Sequence, residues 1–317
     1  MATSLPPVCK GCFVGSGSDG LNDQRVADTI IGQTGKSTPV VLYLGTATYD
    51  LEGPRTRQCV RFAEKGCEVT TINLAQGDAP SWPSAEEMSS CVGACDIIIV
   101  SGGNTLWAID RFHAAGLTPL LRAAMERGVV LAGGSAGAIC WFDAGHSDSM
   151  DPDSYKAAML GAEDTGADES GGAFAGEARP WEYARVACLG FLPGLVCPHY
   201  DKVQSNGVLR ATDFDGMMRR HAGEVGIGID HWAALCVDGA DYTVLSLPAK
   251  PGSVLPDGTH SPEQKGTPGC WVLRVREGGV VERAVVPAAG RLADLLQPAS
   301  AIVLDERCDI SRAENPQ

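Results

Sequence analysis

The 317-residue chain is long enough to bury a full α/β core, and 44% of its residues are apolar, as in ordinary soluble globular proteins. Its net charge of −14 argues against nucleic acid or an anionic membrane surface as partner, and no apolar run is long enough to cross a bilayer. The start, MATSLPPVCKGC, lacks the basic residues and apolar stretch of a secretory signal, so the expected address is the cytosol.

Taken in chain order, short β-rich runs alternate with helical stretches. Residues 12–14 read as a strand, followed by a Gly/Ser turn and a helix over 23–31. VVLYLG at 40–45 reads as a buried strand, 54–65 as a helix ended by Gly66, and 67–74 as the next strand. Ser84 and Glu87 form an S-x-x-E capping box that opens a short helix. DIIIV at 96–100 is too apolar to face water on either side. Thr118 is placed to cap the next helix, with Pro119 at its first position and Gly128 past its end; 129–132 is another buried strand. Strands apolar throughout and separated by helices predict a parallel sheet sandwiched between two helical layers, with its site at the carboxyl ends of the strands.

Segments 151–179 (Gly, Ala, Asp, Glu) and 250–268 (Gly, Pro, Ser) break the alternation and read as loop insertions in a single domain over 1–317. The first follows the presumed site closely enough to act as a lid, though a surface insertion is as economical. Residues 227–230, 242–247, 271–276 and 280–285 read as antiparallel strands finishing the sheet. The twelve cysteines are scattered, many within apolar runs, as reduced thiols packed as small hydrophobes would be. Cys9-x-x-Cys12 has ligand-like spacing, but no second pair completes a zinc site.

The strongest motif is Gly133-Gly134-Ser135-Ala136-Gly137, between the strand at 129–132 and a helix expected over 136–142. Such a turn lifts the serine hydroxyl above the sheet and aims the Ala136 N–H toward a developing oxyanion. Ser101-Gly102-Gly103-Asn104-Thr105 closes the strand at 96–100 on the same sheet edge. Its glycines leave backbone N–H groups open to a ligand. Asn104 and Thr105 are placed to bind substrate or to cap the next helix, and both roles can hold.

A nucleophilic serine needs a base and a group to orient it. Of six histidines, His199 in Pro198-His199-Tyr200-Asp201 stands where an apolar run meets a loop. His113 lies within a helix, His221 in a charged segment and His260 in the late loop; His231 follows a strand and is usable, and His146 is expected on the surface. Asp148 is the preferred orienting acid, with Asp151 and Glu163 as fallbacks. Gly15-x-Gly17-x-x-Gly20 mimics a dinucleotide fingerprint, but the second strand ends without the acid a ribose requires.

These pieces resemble the dipeptidase E (aspartyl dipeptidase) and cyanophycinase group of serine peptidases. The matching segments are Gly102-Gly103-Asn104-Thr105, Gly134-Ser135-Ala136-Gly137-Ala138, Ser147-Asp148-Ser149, Leu192-Pro193-Gly194 leading into Pro198-His199-Tyr200-Asp201, and 227–235 with Asp230. The resemblance covers roughly 10–248 and keeps the motif order. It implies a fold like that of class I glutamine amidotransferases, Ser135 as nucleophile, His199 as base, and Gly103 and Ala136 as oxyanion-hole donors. It places the dipeptidases' third triad member on Asp148, whereas cyanophycinase-like members use a Glu. A family arginine that binds the substrate's acidic side chain falls on Arg210, with Arg219 or Arg220 as alternatives. The implied substrates are small acidic peptides, with no metal or cofactor. The oligomeric state is left open, a homodimer included. Two rivals are an α/β-hydrolase esterase using Ser135, an acid near Asp230 and His260, and a non-catalytic binding protein on the same scaffold.

Overall fold

The computed structural model describes residues 9–77, 79–151, 180–247, 267–296 and 309–310. Of the expected loops over 151–179 and 250–268, residues 152–179 and 250–266, with Glu163 and His260, lie outside the described residues.

Five strands form the parallel heart of the first sheet: β1 (Lys10–Val14), β2 (Val41–Leu44), β3 (Val69–Thr71), β4 (Ile97–Val100) and β5 (Val130–Gly134), in the order β1-β5-β4-β2-β3. The chain then builds a second sheet from β6 (Phe142–Ser147), β7 (Ala184–Ala187), β8 (Leu192–Cys197) and β9 (Gly226–Ile229). It returns to the first sheet with antiparallel β10 (Ala233–Asp238) and β11 (Asp241–Ser246). β12 (Cys270–Arg276) and β13 (Val280–Val285) extend the second sheet, and β14 (Ala289–Arg291) edges the first.

The apolar strands are explained by their two-sided burial. On one face Cys12, Tyr43, Ile97 and Ile99 pack against Val26 and Ile30 of α2 (Gln24–Thr34) and Phe62 of α3 (Glu52–Glu64). On the other, Leu42, Ile98, Val100 and Leu131 meet α4 (Ala85–Ala94), α5 (Thr105–Ala114) and α6 (Thr118–Glu126). Alternate residues of one strand thus serve two cores, and each buried Ile or Phe contributes about 1.5–3 kcal/mol. The second core continues into Phe142, Val196 and Ile227 of the second sheet, whose far face is covered by Phe214, Met217 and Met218 of α8 (Arg210–Arg220).

Local signals read from the sequence are met at several places. Ser84 and Glu87 form the capping box of α4, and Asp23 caps α2 by accepting the Arg25 N–H. Thr118 differs: it is the first residue of α6 rather than its cap, and its hydroxyl lies 3.0 Å from His113 Nδ1. Of the late segments expected to finish one sheet, only β11 joins the first; β9, β12 and β13 belong to the second. The helix after Ser135 is α7 (Ala136–Ile139), one turn long, and the helix after β1 is the equally short α1 (Ser18–Leu21). The chain then becomes β6, so the 145–149 motif begins on a strand. The described cysteines are free thiols, Cys12 and Cys236 facing each other across β1 and β10. Among the described residues no helix is long and apolar enough to cross a membrane.

Candidate active site

Ser135 sits at the tip of β5 with φ 53° and ψ −117°, a strained backbone for a residue with a side chain, of the kind that costs about 1–3 kcal/mol. Packing and one hydrogen bond impose it. The Ser135 N–H donates to the Val14 carbonyl of β1 at 3.0 Å, and a Cβ at Gly134 would lie 2.2 Å from the Ser16 carbonyl oxygen. The Ala136 N–H opens α7, where the first N–H groups have no partner within the helix. The 101–104 turn packs beside the serine, a Cβ at Gly102 falling 3.6 Å from Ser135 Cβ. Gly103 has φ +114°, and the Ala47 carbonyl stands where its Cβ would be.

His199 comes from the second sheet, just past the end of β8. Its N–H donates to Gly15 O at 2.9 Å, and its Nε2 lies 2.9 Å from Ser135 Oγ. The sequence brings these two together because the tips of β1 and β5 meet the tip of β8. Its Nδ1 lies 2.8 Å from Nδ1 of His231, which directly follows Asp230 at the end of β9. β8 and β9 are parallel neighbours, so residues just beyond their ends face each other. His231 Nε2 in turn lies 3.0 Å from Asp19 Oδ2, and its backbone N–H donates to Asp201 Oδ1 at 2.8 Å. Burial, with the neighbouring His231, Arg210 and Lys202 adding to it, holds His199 well below the ordinary histidine range. The ring is therefore neutral at neutral pH, as a general base must be.

Asp148, expected behind His199, stands elsewhere. Its Oδ2 accepts from Arg210 Nη1 at 3.0 Å, and the nitrogen it was to meet is taken by His231. Arg210 is wholly buried; its Nη2 donates to the His146 carbonyl at 2.6 Å and its guanidinium lies 5.0 Å from the Tyr183 ring centre. As it stands, Arg210 does not reach solvent to meet a ligand. Asn104 and Thr105 are buried too. Asn104 caps α5 by accepting the Trp107 N–H and donates to the Ser149 carbonyl, and Thr105 accepts from Ser147 Oγ. They fasten the 147–149 segment rather than open onto the serine. Asp151 accepts from Ser205 Oγ. Arg219 donates to the Gly279 carbonyl. His146, expected at the surface, is fully buried on β6, with Nε2 2.8 Å from Asp213. Asp230, the esterase reading's acid, accepts from the Gly269 N–H and Trp271 Nε1; burial, then the nearby Asp201, pushes its carboxyl well above the usual range.

The glycine-rich turn at 15–20 also belongs to this site. Gly15 receives the His199 N–H, Gly17 packs near Ser135, and Asp19 reaches His231. His231 and Asp19 are the two residues that sequence reasoning did not assign to the serine. The available signal was position alone: a histidine two residues past the end of a buried strand, the same setting that singled out His199.

Comparison with known proteins gives the family and the fold. The profile of peptidase family S51 matches residues 13–245, which include Ser135 and His199. The chain is 32% identical over 267 residues to a Trypanosoma brucei brucei protein named G2/mitotic-specific cyclin-1, covering 77% of each chain. It is 31% identical over 172 residues to the uncharacterized peptidase YgaJ of Bacillus subtilis (strain 168), covering 54% of this chain and 59% of that protein. Two solved structures share the fold. One, from Listeria monocytogenes EGD-e and named peptidase E, has TM-score 0.51 at 14% identity, with 75% of this chain and 98% of that one covered. The other, a peptidase from an acI-B1 Actinobacterium, has TM-score 0.55 at 15% identity, with 91% and 99% covered. The chain has a mixed α/β fold similar to those of these structures, and it belongs to peptidase family S51, the dipeptidase E and cyanophycinase family.

Proposed function

We propose that the protein hydrolyses short peptides by serine catalysis at Ser135, preferring an acidic residue on the acyl side of the scissile bond. One observation carries the reading: the hydroxyl of a strained strand-to-helix serine lies 2.9 Å from the ring of a buried, neutral histidine. His199 Nε2 takes the Oγ proton as Oγ bonds to the carbonyl carbon. The N–H groups of Gly103 and Ala136 receive the oxyanion, each such donor being worth about 10²–10³ in kcat. His199 then protonates the amine as the C–N bond breaks, and water, deprotonated by the same ring, releases the acid. We read the parallel core as of the class I glutamine amidotransferase kind, and the reduced thiols as suited to the cytosol.

The acidic preference rests on the family and on Arg210. Because Asp148 already pairs with this cation, a substrate carboxylate would exchange with Asp148, which avoids leaving the guanidinium alone in the interior. A local cation is what such a substrate needs against the chain's net charge of −14.

The test compares hydrolysis of Asp-Leu, Glu-Leu, Asn-Leu and Leu-Leu by the native chain and Ser135→Ala. Selective Asp-Leu cleavage lost in the variant supports the reading. Cleavage of all four at equal rates removes the acidic preference, and a variant as active as the native chain removes the nucleophile.

A further inference from the structure

We propose that His231, held by Asp19, is the positioning residue of this serine site, so that Ser135, His199, His231 and Asp19 form one directed chain of hydrogen bonds. The proposal rests on Ser135 and His199 acting as nucleophile and base.

Proton counting gives the chain its direction. The three contacts are 2.9 Å (Ser135 Oγ to His199 Nε2), 2.8 Å (His199 Nδ1 to His231 Nδ1) and 3.0 Å (His231 Nε2 to Asp19 Oδ2). Each needs one hydrogen and one lone pair. For His199 to accept the serine proton, its Nε2 must be bare, so its hydrogen sits on Nδ1. That hydrogen points at His231 Nδ1, which must then also be bare. The His231 hydrogen therefore sits on Nε2, where the Asp19 carboxylate receives it. Two neutral rings and one carboxylate satisfy every contact in this one arrangement. Turned the other way, His231 would donate to His199, whose Nε2 would carry a hydrogen toward Ser135 and could take no proton.

The surroundings hold His231 in place to do this. Its N–H is received by Asp201 Oδ1 at 2.8 Å, and the Trp232 ring lies edge-on with centroids 4.7 Å apart. Asp19 leaves β1 on the glycine-rich turn whose Gly15 carbonyl also fixes the His199 backbone. When the Oγ proton arrives at His199 Nε2, the ring becomes an imidazolium whose Nδ1–H still points into the His231 lone pair. His231, aligned by Asp19, orients the base and helps disperse its charge.

The test compares His231→Phe, His231→Gln and Asp19→Ala with the native chain. Readouts are Asp-Leu kinetics, fluorophosphonate labelling of Ser135, and ring nitrogen NMR for the two tautomers. The expected result for His231→Phe is a fall in kcat of roughly 100-fold or more with KM little changed, since base catalysis is lost and binding is not. His231→Gln, whose amide both accepts and donates, recovers at least roughly tenfold of that loss. Asp19→Ala loses roughly tenfold, as removal of an outer hydrogen-bond partner does elsewhere. In the native chain, NMR finds the hydrogen on Nδ1 of His199 and on Nε2 of His231. The proposal is overturned by a folded His231→Phe chain with native kcat, by a His231→Gln chain no better than His231→Phe, or by the opposite tautomers. A Ser135→Ala chain as active as the native one would instead sink the nucleophile assignment, and this role would fall with it.

Discussion

Arg210 and Asp148 meet at 3.0 Å with the guanidinium sealed from solvent and the carboxylate 22% exposed. The contact spans 62 residues of sequence, joining the tip of β6 to the first residue of α8. The acid expected behind the base therefore neutralises a cation rather than orienting His199.

Asp148→Ala should strand that buried charge and lower stability by about 3 kcal/mol, the low end for a broken buried pair because Asp148 is partly wet. Urea unfolding measures this. Fluorophosphonate labelling of Ser135 should change by less than about tenfold, whereas a carboxylate orienting His199 would cost roughly 10³ or more.

Replacing both partners by apolar residues, Arg210→Met with Asp148→Leu, should recover most of that stability, because removing a whole buried pair is often close to neutral. The same double variant should lose any preference for Asp-Leu over Leu-Leu. Retained preference would move the acidic specificity to another cation.

Stability should fall in acid through His146. Burial, with the Arg210 charge adding to it, depresses this imidazole to about 4, against the raising pull of Asp213. The unfolded chain binds its proton first, near pH 6.5, so the contribution is full above that pH and is lost as pH drops toward about 4, up to about 3 kcal/mol in all. His199, depressed as well, acts in the same direction. The thermal midpoint followed between about pH 7.5 and about 4.5 checks this, and His146→Phe should flatten part of the slope.

Gly103→Ala should harm both fold and rate. Its φ of +114° disfavours a side chain, and the new Cβ would lie 2.3 Å from the Ala47 carbonyl oxygen. A stability loss of about 1–3 kcal/mol should accompany a fall in kcat of roughly 100-fold as the N–H is displaced. A native kcat in the folded variant would remove Gly103 from the oxyanion hole.

The parallel core was legible because strands buried on both faces are apolar at every position, as 97–100 are, whatever their neighbours. Ser135 and His199 were legible because each stands just past such a strand. The second sheet was not. FDAGHS at 142–147 carries Asp143 and His146 within its strand, a pattern that reads as a helix running out into a loop. Nothing in periodicity says which sheet a strand will join. His231 was passed over for the same reason, since its pairing with His199 requires β8 and β9 to be neighbours, which only the assembled sheet decides. Asp148 was favoured by its place in the Ser147-Asp148-Ser149 segment and by the family resemblance, and β6 carries it to Arg210 instead.

The nucleophile hangs from one sheet and its base from the other, with the Gly15 backbone laced between them: its N–H donates to Ala233 O and its carbonyl receives the His199 N–H. The reactive hydrogen bond is thus a gauge of how two slabs of structure seat on each other. A slip of one ångström along that seam would leave every strand hydrogen bond intact and the reaction roughly 100-fold slower. On heating, hydrolysis should fade while circular dichroism still reports a folded chain, the chemistry failing at the seam before either slab melts.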